Sequence, residues 1–302
     1  TQHVEADSIG GIVAGVAVDG DLVWARGFGY ADRDARTPIR PSAVSRTGSI
    51  SKSVTAVLMM ILVDRGVISL DDPVEQYFPE IAQLTDARPG ALQVTFRHLG
   101  SHTAGIIREP NLEGAASGRI ELWADKVLAS IPATAFDSIP GARYQYSNIG
   151  FGMLGLALER AAGHPFIQMV EDEIFTPLGM TGSTFVVNDA ELEDRLAVGY
   201  ANTRDGRVNA EGPANEHEGR GYKVPNGGVY STVADLARFA GALSGVPGLQ
   251  ILEDESRREM LHVQTPEDPA RGYGLGFSLR QNRDGSWTAG HGGSVAGYTA
   301  TI

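Results

Sequence analysis

Residues 11 to 30, GIVAGVAVDGDLVWARGFGY, carry apolar and small residues on both sides of Asp19-Gly20. That pattern predicts two antiparallel strands joined by a tight turn, because Asp-Gly tolerates the positive φ angles such turns need. The far end repeats it: YGLGFSLRQ and SWTAGHGG flank Asp284-Gly285, and GYTATI follows. Between these strand-rich ends the pattern is mostly helical. Ser53 to Arg65 predicts a helix closed by Gly66, a good residue for the position after a C-cap. Further helices are predicted at 120–130, 149–162, 166–175 and 233–243, the last opened by Ser231-Thr232. The apolar run from Val54 to Val63 falls short of the roughly 20 residues a bilayer requires, so it predicts a buried helix and no membrane span.

Strands at both ends with helices between them predict an α+β fold: an antiparallel sheet built from both chain ends, flanked by helices, plus a mainly helical lobe. The expected division of 1–302 is one domain with two lobes, 1–65 plus 227–302 forming the sheet lobe and 66–226 the helical one. The polar, Gly-rich stretch 201–226 predicts a long loop, of the kind that is often functional.

Composition narrows the function classes. Hydrophobic residues make up 42% and charged residues 21% of the 302, as in ordinary water-soluble domains. A net charge of −12 argues against nucleic acid and anionic membrane surfaces as partners. Without cysteine there is no disulfide framework, thiolate nucleophile or Cys-ligated metal. The residues after Thr1 lack a charged-then-apolar leader pattern, which leaves cytoplasmic and exported locations both open.

The chemistry begins with a scarcity. Only Lys52, Lys126 and Lys223 are lysines; the other 22 of 25 basic residues are arginines. Arginine stays charged, whereas a buried lysine can lose its proton and act as a base. Lys52 opens the apolar run three residues after Ser49, so a helix starting near Ser49 puts the pair on one face. A serine hydroxyl needs such a neighbour to become nucleophilic. Read alone, the spacing also suits an N-cap serine and a surface lysine. Ahead of a second apolar helix stands Tyr146-Ser147-Asn148: a phenol can relay protons, and an amide can hold both a lysine and a substrate carbonyl. A plain helix cap is the other reading of that tripeptide. Near the C-terminus His291-Gly292-Gly293 lies on a predicted strand, where glycines allow close approach and free backbone N–H groups, or simply form a bulge.

In this order the three stretches resemble the signature of the serine β-lactamase and penicillin-binding superfamily. The Tyr-x-Asn middle motif is similar to that of class C β-lactamases, family VIII esterases and D-aminopeptidases. GVISLDDPVEQYFPE, RHLGSHTAGI, PLGMTGSTF and NGGVYSTVADLARF share the family's phrasing. The resemblance implies that Ser49 is the nucleophile, Lys52 its proton partner and Tyr146 a second acid/base. It implies further that Asn148 contacts both substrate and Lys52, that the strand with His291, Gly292 and Gly293 flanks the site, and that the N–H groups of Ser49 and Ser294 form the oxyanion hole. The third motif starts with His where the better-known members have Lys, so a fixed cation for a β-lactam carboxylate is absent. The expected function is therefore a cofactor-free serine hydrolase acting on a small ester, amide or peptide, carboxylesterase or D-aminopeptidase-like. The alternatives are a class C-type β-lactamase, a D,D-carboxypeptidase or a penicillin-binding sensor.

Other signals are weaker. No G-x-S-x-G or phosphate-binding G-x-x-x-x-G-K-[ST] occurs, and His98 with His102 lacks the Glu of a helical zinc motif, so no metal is expected. By the resemblance a further strand and a long helix would follow GYTATI. The expectation is a missing C-terminal portion, met by a separate segment or a second chain, and a short N-terminus with little room for an opening helix.

Overall fold

The computed structural model describes residues 10–86, 93–202 and 208–302; the expectation for the first residues of the chain and part of the predicted 201–226 loop lie outside them. Strand β1 (Gly11–Val18) pairs antiparallel with β2 (Asp21–Asp32). Asp19 and Gly20 both sit at positive φ, +50° and +81°, which matches the twist of the flanking strands. β3 (Thr37–Pro38) extends that ladder, and β4 (Ser45–Arg46) leads into α1 (Ile50–Asp64).

α1 is the axis of the molecule. Every residue from Ile50 to Leu62 is buried, as an apolar surface all round the helix requires. Burying each Val, Leu, Ile or Met there contributes about 1.5–3 kcal/mol. Its polar side chains are satisfied by neighbouring carbonyls: Ser53 Oγ donates to Gly276 O at 2.7 Å and Thr55 Oγ1 to Pro225 O at 2.5 Å. The helix ends as predicted, with Arg65 capping and Gly66 at φ +68°.

Helices α2 (Phe96–Gly100), α3 (Trp123–Ser130) and α4 (Asn148–Ala162) follow, and α4 packs on α1. The segment predicted as a helix over 166–175 starts as an α-turn at Phe166–Val170 and widens into a π-turn at Glu171–Phe175.

The stretch 201–226 differs from the predicted long loop. Among its described residues are two short paired strands, β5 (Ala201–Asn202) and β6 (Val208–Asn209), and a run of helical turns ending in α5 (Val224–Gly227). Its polarity misled because two of its polar side chains are buried with internal partners: Asn226 Nδ2 donates to Asn148 O, and Arg220 Nη1 to Gly227 O. α5 lies so close to α4 that a Cβ on Gly155 would sit 2.4 Å from Pro225 Cγ.

β7 (Tyr230–Ser231) pairs with β4, and α6 (Val233–Leu243) covers β1 and β2, its N-terminus capped by Thr232. The C-terminal part adds β8 (Arg271–Tyr273), β9 (Ser278–Gln281), β10 (Trp287–Gly290), β11 (Gly292–Val295) and β12 (Tyr298–Thr301). The α+β class, with antiparallel strands at both ends and helices between, is as expected. Among the described residues the strands form separate ladders, β1-β2-β3, β10-β9-β8 and β11-β12, in place of one continuous sheet. A cleft of about 350 Å³ between Gly10–Val13 and Tyr298–Thr301 keeps the two ends apart.

Candidate active site

Ser49 is the N-cap of α1, yet its hydroxyl makes no capping bond. The oxygen instead faces Lys52, one turn on, whose Nζ lies 3.1 Å away. Two more oxygens complete that nitrogen's surroundings: Asn148 Oδ1 at 2.7 Å and Asn226 O at 3.2 Å. The amine is wholly buried, 0% exposed, beside the rings of Tyr146 and Phe151. Burial drives its pKa well below the ordinary lysine value; the charge of Glu109 opposes that, and those of Lys223, Arg108 and Arg220 reinforce it. Once neutral, the amine can keep two N–H bonds to the carbonyl oxygens and turn its lone pair to the Ser49 hydroxyl proton.

Tyr146 reaches the pair from the loop before α4. Burial raises its pKa, while its hydrogen bond with Ser49 and the charge of Arg108 pull the other way. The Arg108 guanidinium lies 4.9 Å from the ring centroid, and the His102 ring packs at 4.2 Å. Ser147 does cap α4, accepting from Gly150 N at 2.9 Å, so the cap reading and the site reading of Tyr146-Ser147-Asn148 hold together.

Asn148 is the first residue of α4. Lys52 approaches its Oδ1, and its Nδ2 donates to Glu109 Oε1 at 2.5 Å. A carboxylate only accepts, so Nδ2 must face Glu109 and Oδ1 is left for Lys52.

The fourth wall is β11. His291 and Ile302 exchange both backbone bonds, 3.2 and 3.1 Å, so the alternation of an antiparallel ladder turns Gly293 toward β12 and the N–H groups of Gly292 and Ser294 away from it. Ser294 N thereby borders the turn before α1: a Cβ on Gly48 would sit 2.8 Å from it. A Cβ on Gly293 would lie 1.9 Å from Thr47 O and 2.9 Å from Ser49 N. Only glycine lets β11 approach closely enough to bring the Ser294 and Ser49 N–H groups side by side.

His291 is buried, and both ring nitrogens are engaged within the protein. Nδ1 donates to Gly292 O at 2.7 Å, so Nε2 is the acceptor for the Tyr273 hydroxyl at 2.8 Å. Burial, aided by the charge of Lys52, lowers its pKa to about 4. The ring is neutral at pH 7 and presents no cation where the third motif flanks the site.

Several residues that shape this centre carry no signal in the sequence: Glu109, Tyr222 and Asn226. His102, weighed in the sequence only as a metal partner of His98, is buried at φ +60° and its Nδ1 accepts from Ser147 N at 3.1 Å. His98 Nδ1 likewise accepts a backbone bond, from Thr95 N at 3.2 Å. Asn226 lies in the segment taken for a loop, and its polarity hid its burial.

The chain matches the family described as Beta-lactamase over residues 1–302. It is 30% identical to Esterase EstB of Burkholderia gladioli across 88% of this chain and 74% of that one. It spans about half the length of other curated relatives that it matches. Its fold resembles the octameric penicillin-binding protein homologue from Pyrococcus abyssi, with 28% identity, a TM-score of 0.79 and coverage of 99% of this chain and 68% of that one. It also resembles the D-stereospecific amidohydrolase from Streptomyces sp., with 26% identity, a TM-score of 0.76 and coverage of 99% and 87%. A match over its whole length, with relatives among esterases, amidohydrolases and penicillin-binding proteins, shows that this chain belongs to the beta-lactamase family, within the superfamily of serine β-lactamases and penicillin-binding proteins.

Proposed function

We propose that the protein is a serine hydrolase that cleaves an ester or amide through an acyl-enzyme on Ser49, of the carboxylesterase or D-aminopeptidase-like kind. The observation that carries this reading is the wholly buried Lys52 amine, its pKa driven down by burial, 3.1 Å from the Ser49 hydroxyl oxygen. In acylation the Ser49 Oγ–H proton passes to Lys52 Nζ as Oγ bonds to the substrate carbonyl carbon. The carbonyl π pair moves onto oxygen, where the Ser49 and Ser294 N–H groups stabilise it. Collapse breaks the bond to the leaving alcohol or amine, which takes the Tyr146 hydroxyl proton; the Lys52 ammonium, packed beside the Tyr146 ring, then returns a proton to the phenolate. Water then attacks the acyl carbon, gives up a proton to the same relay, and frees the acid and Ser49.

The neutral, internally committed His291 supports esters or amides without a carboxylate over β-lactams and peptides ending in D-Ala-D-Ala. Similarity to EstB and to the Streptomyces amidohydrolase favours the same pair of substrate classes. The test is turnover of p-nitrophenyl esters and D-amino acid p-nitroanilides by wild-type protein and Ser49→Ala. Loss of all turnover in a variant with unchanged melting is expected; activity retained by Ser49→Ala would end the proposal. A burst of nitrocefin acylation without steady turnover would point instead to a sensor.

A further inference from the structure

Glu109 lies on the loop between α2 and α3, outside every motif read from the sequence, yet it bonds directly to the proposed catalytic constellation. Oε1 accepts from Asn148 Nδ2 at 2.5 Å, and Oε2 accepts from the Tyr222 hydroxyl and lies 3.1 Å from Lys223 Nζ. Tyr222 is buried, and Lys223 belongs to the same helical turn ahead of α5. The carboxylate therefore spans two segments, the 107–120 loop and the 221–227 turns, and its inner oxygen is spent on Asn148. The same turns supply Asn226 O, another acceptor of Lys52.

We propose that Glu109 is a positioning residue for the Ser49–Lys52 pair: clamped by Tyr222 and Lys223, its carboxylate locks the Asn148 amide with Oδ1 on Lys52 Nζ and Nδ2 turned away. Without it the amide can rotate by half a turn and present N–H to the amine, where a second donor would displace the lone pair from Ser49. This inference rests on the acyl-enzyme reading above. Its chemistry extends to charge, because among the described residues Glu109 is the acidic group that opposes the fall of the Lys52 pKa. The charged groups facing Lys52 besides it are Lys223, Arg108 and Arg220, and the titratable rings packed around the amine are Tyr146, His102 and His291.

Two variants separate the roles. Glu109→Asp keeps the charge and withdraws the oxygen from Asn148; Glu109→Gln keeps the length and removes the charge. With p-nitrophenyl acetate across pH 5–10, the plateau kcat of Glu109→Asp should fall roughly 10–100-fold, as for groups that orient a reacting group through another. Its KM and rising pH limb should stay in place. Glu109→Gln should move that limb to lower pH, since the carboxylate holds the Lys52 pKa up. Tyr222→Phe, which loosens the clamp without touching Asn148, should lose part of the plateau. Melting temperatures of all three check that the fold is kept. Wild-type kcat with an unmoved limb in both Glu109 variants would overturn the positioning role while leaving the hydrolase intact. An inactive wild-type protein that takes no fluorophosphonate on Ser49 would instead overturn the reading beneath it.

Discussion

At the scale of single residues the proposed mechanism requires Lys52 to be unprotonated. A lysine whose folded pKa is lowered binds its proton less readily than in the unfolded chain, so activity should rise with pH along a limb below the ordinary lysine range. Lys52→Arg keeps a cation and loses the lone pair, and kcat should fall by roughly 10²–10⁴, the usual contribution of a general base; steady-state rates at the pH optimum check this. The buried histidines set a second pH effect. His291, lowered to about 4, and His102, also lowered by burial, stay neutral while unfolded histidines take up protons near pH 6.5. Stability contributed by these neutral rings is present above pH 6.5 and falls as pH drops below it, the His291 share being lost by about pH 4. His291→Gln should flatten that part of a denaturation-midpoint-against-pH curve. Ser49, Lys52, Tyr146 and Asn148 were legible in the sequence because each sits at a helix start, where spacing fixes geometry. Glu109 was not, because a lone acidic residue in a loop gains meaning only when another segment closes over it.

At the scale of elements, two close approaches build the site. β11 reaches the start of α1 only because residue 293 has no side chain. Gly293→Ala places a methyl 1.9 Å from Thr47 O, so it should cost about 1–3 kcal/mol of stability and nearly all activity, by pushing Ser294 N–H away from Ser49. Chemical denaturation and ester turnover measure the two effects. The α4–α5 contact responds differently. Gly155→Ala gains about 1 kcal/mol of helix propensity, yet its methyl would overlap the Pro225 ring at 2.4 Å, so the variant should be destabilised on balance. The terminal hairpin and the long helices followed from turn residues and apolar runs. The 211–227 turns did not, because buried polar residues with internal partners look in a sequence like solvent-exposed ones.

At the scale of the whole molecule, net charge and the missing cation act together. The chain carries −12, and His291 stands neutral where a fixed cation would grip a substrate carboxylate. Anionic acyl donors should be poorer substrates than neutral ones of the same reactivity by roughly 10–100-fold in kcat/KM, the worth of one charged hydrogen bond. The gap should narrow with added salt, which screens long-range repulsion. Paired p-nitrophenyl esters with and without a terminal carboxylate, assayed across salt concentrations, report it directly.

The central claim is that Ser49 is made nucleophilic by an uncharged Lys52, and the most direct test is fluorophosphonate labelling followed by peptide mass spectrometry across pH. One label on the peptide containing Ser49, gained faster as pH rises through a value below the normal lysine range and nearly abolished in Lys52→Arg, is the predicted result. Labelling at another serine, or a Lys52→Arg protein labelled as fast as the wild type, would contradict it.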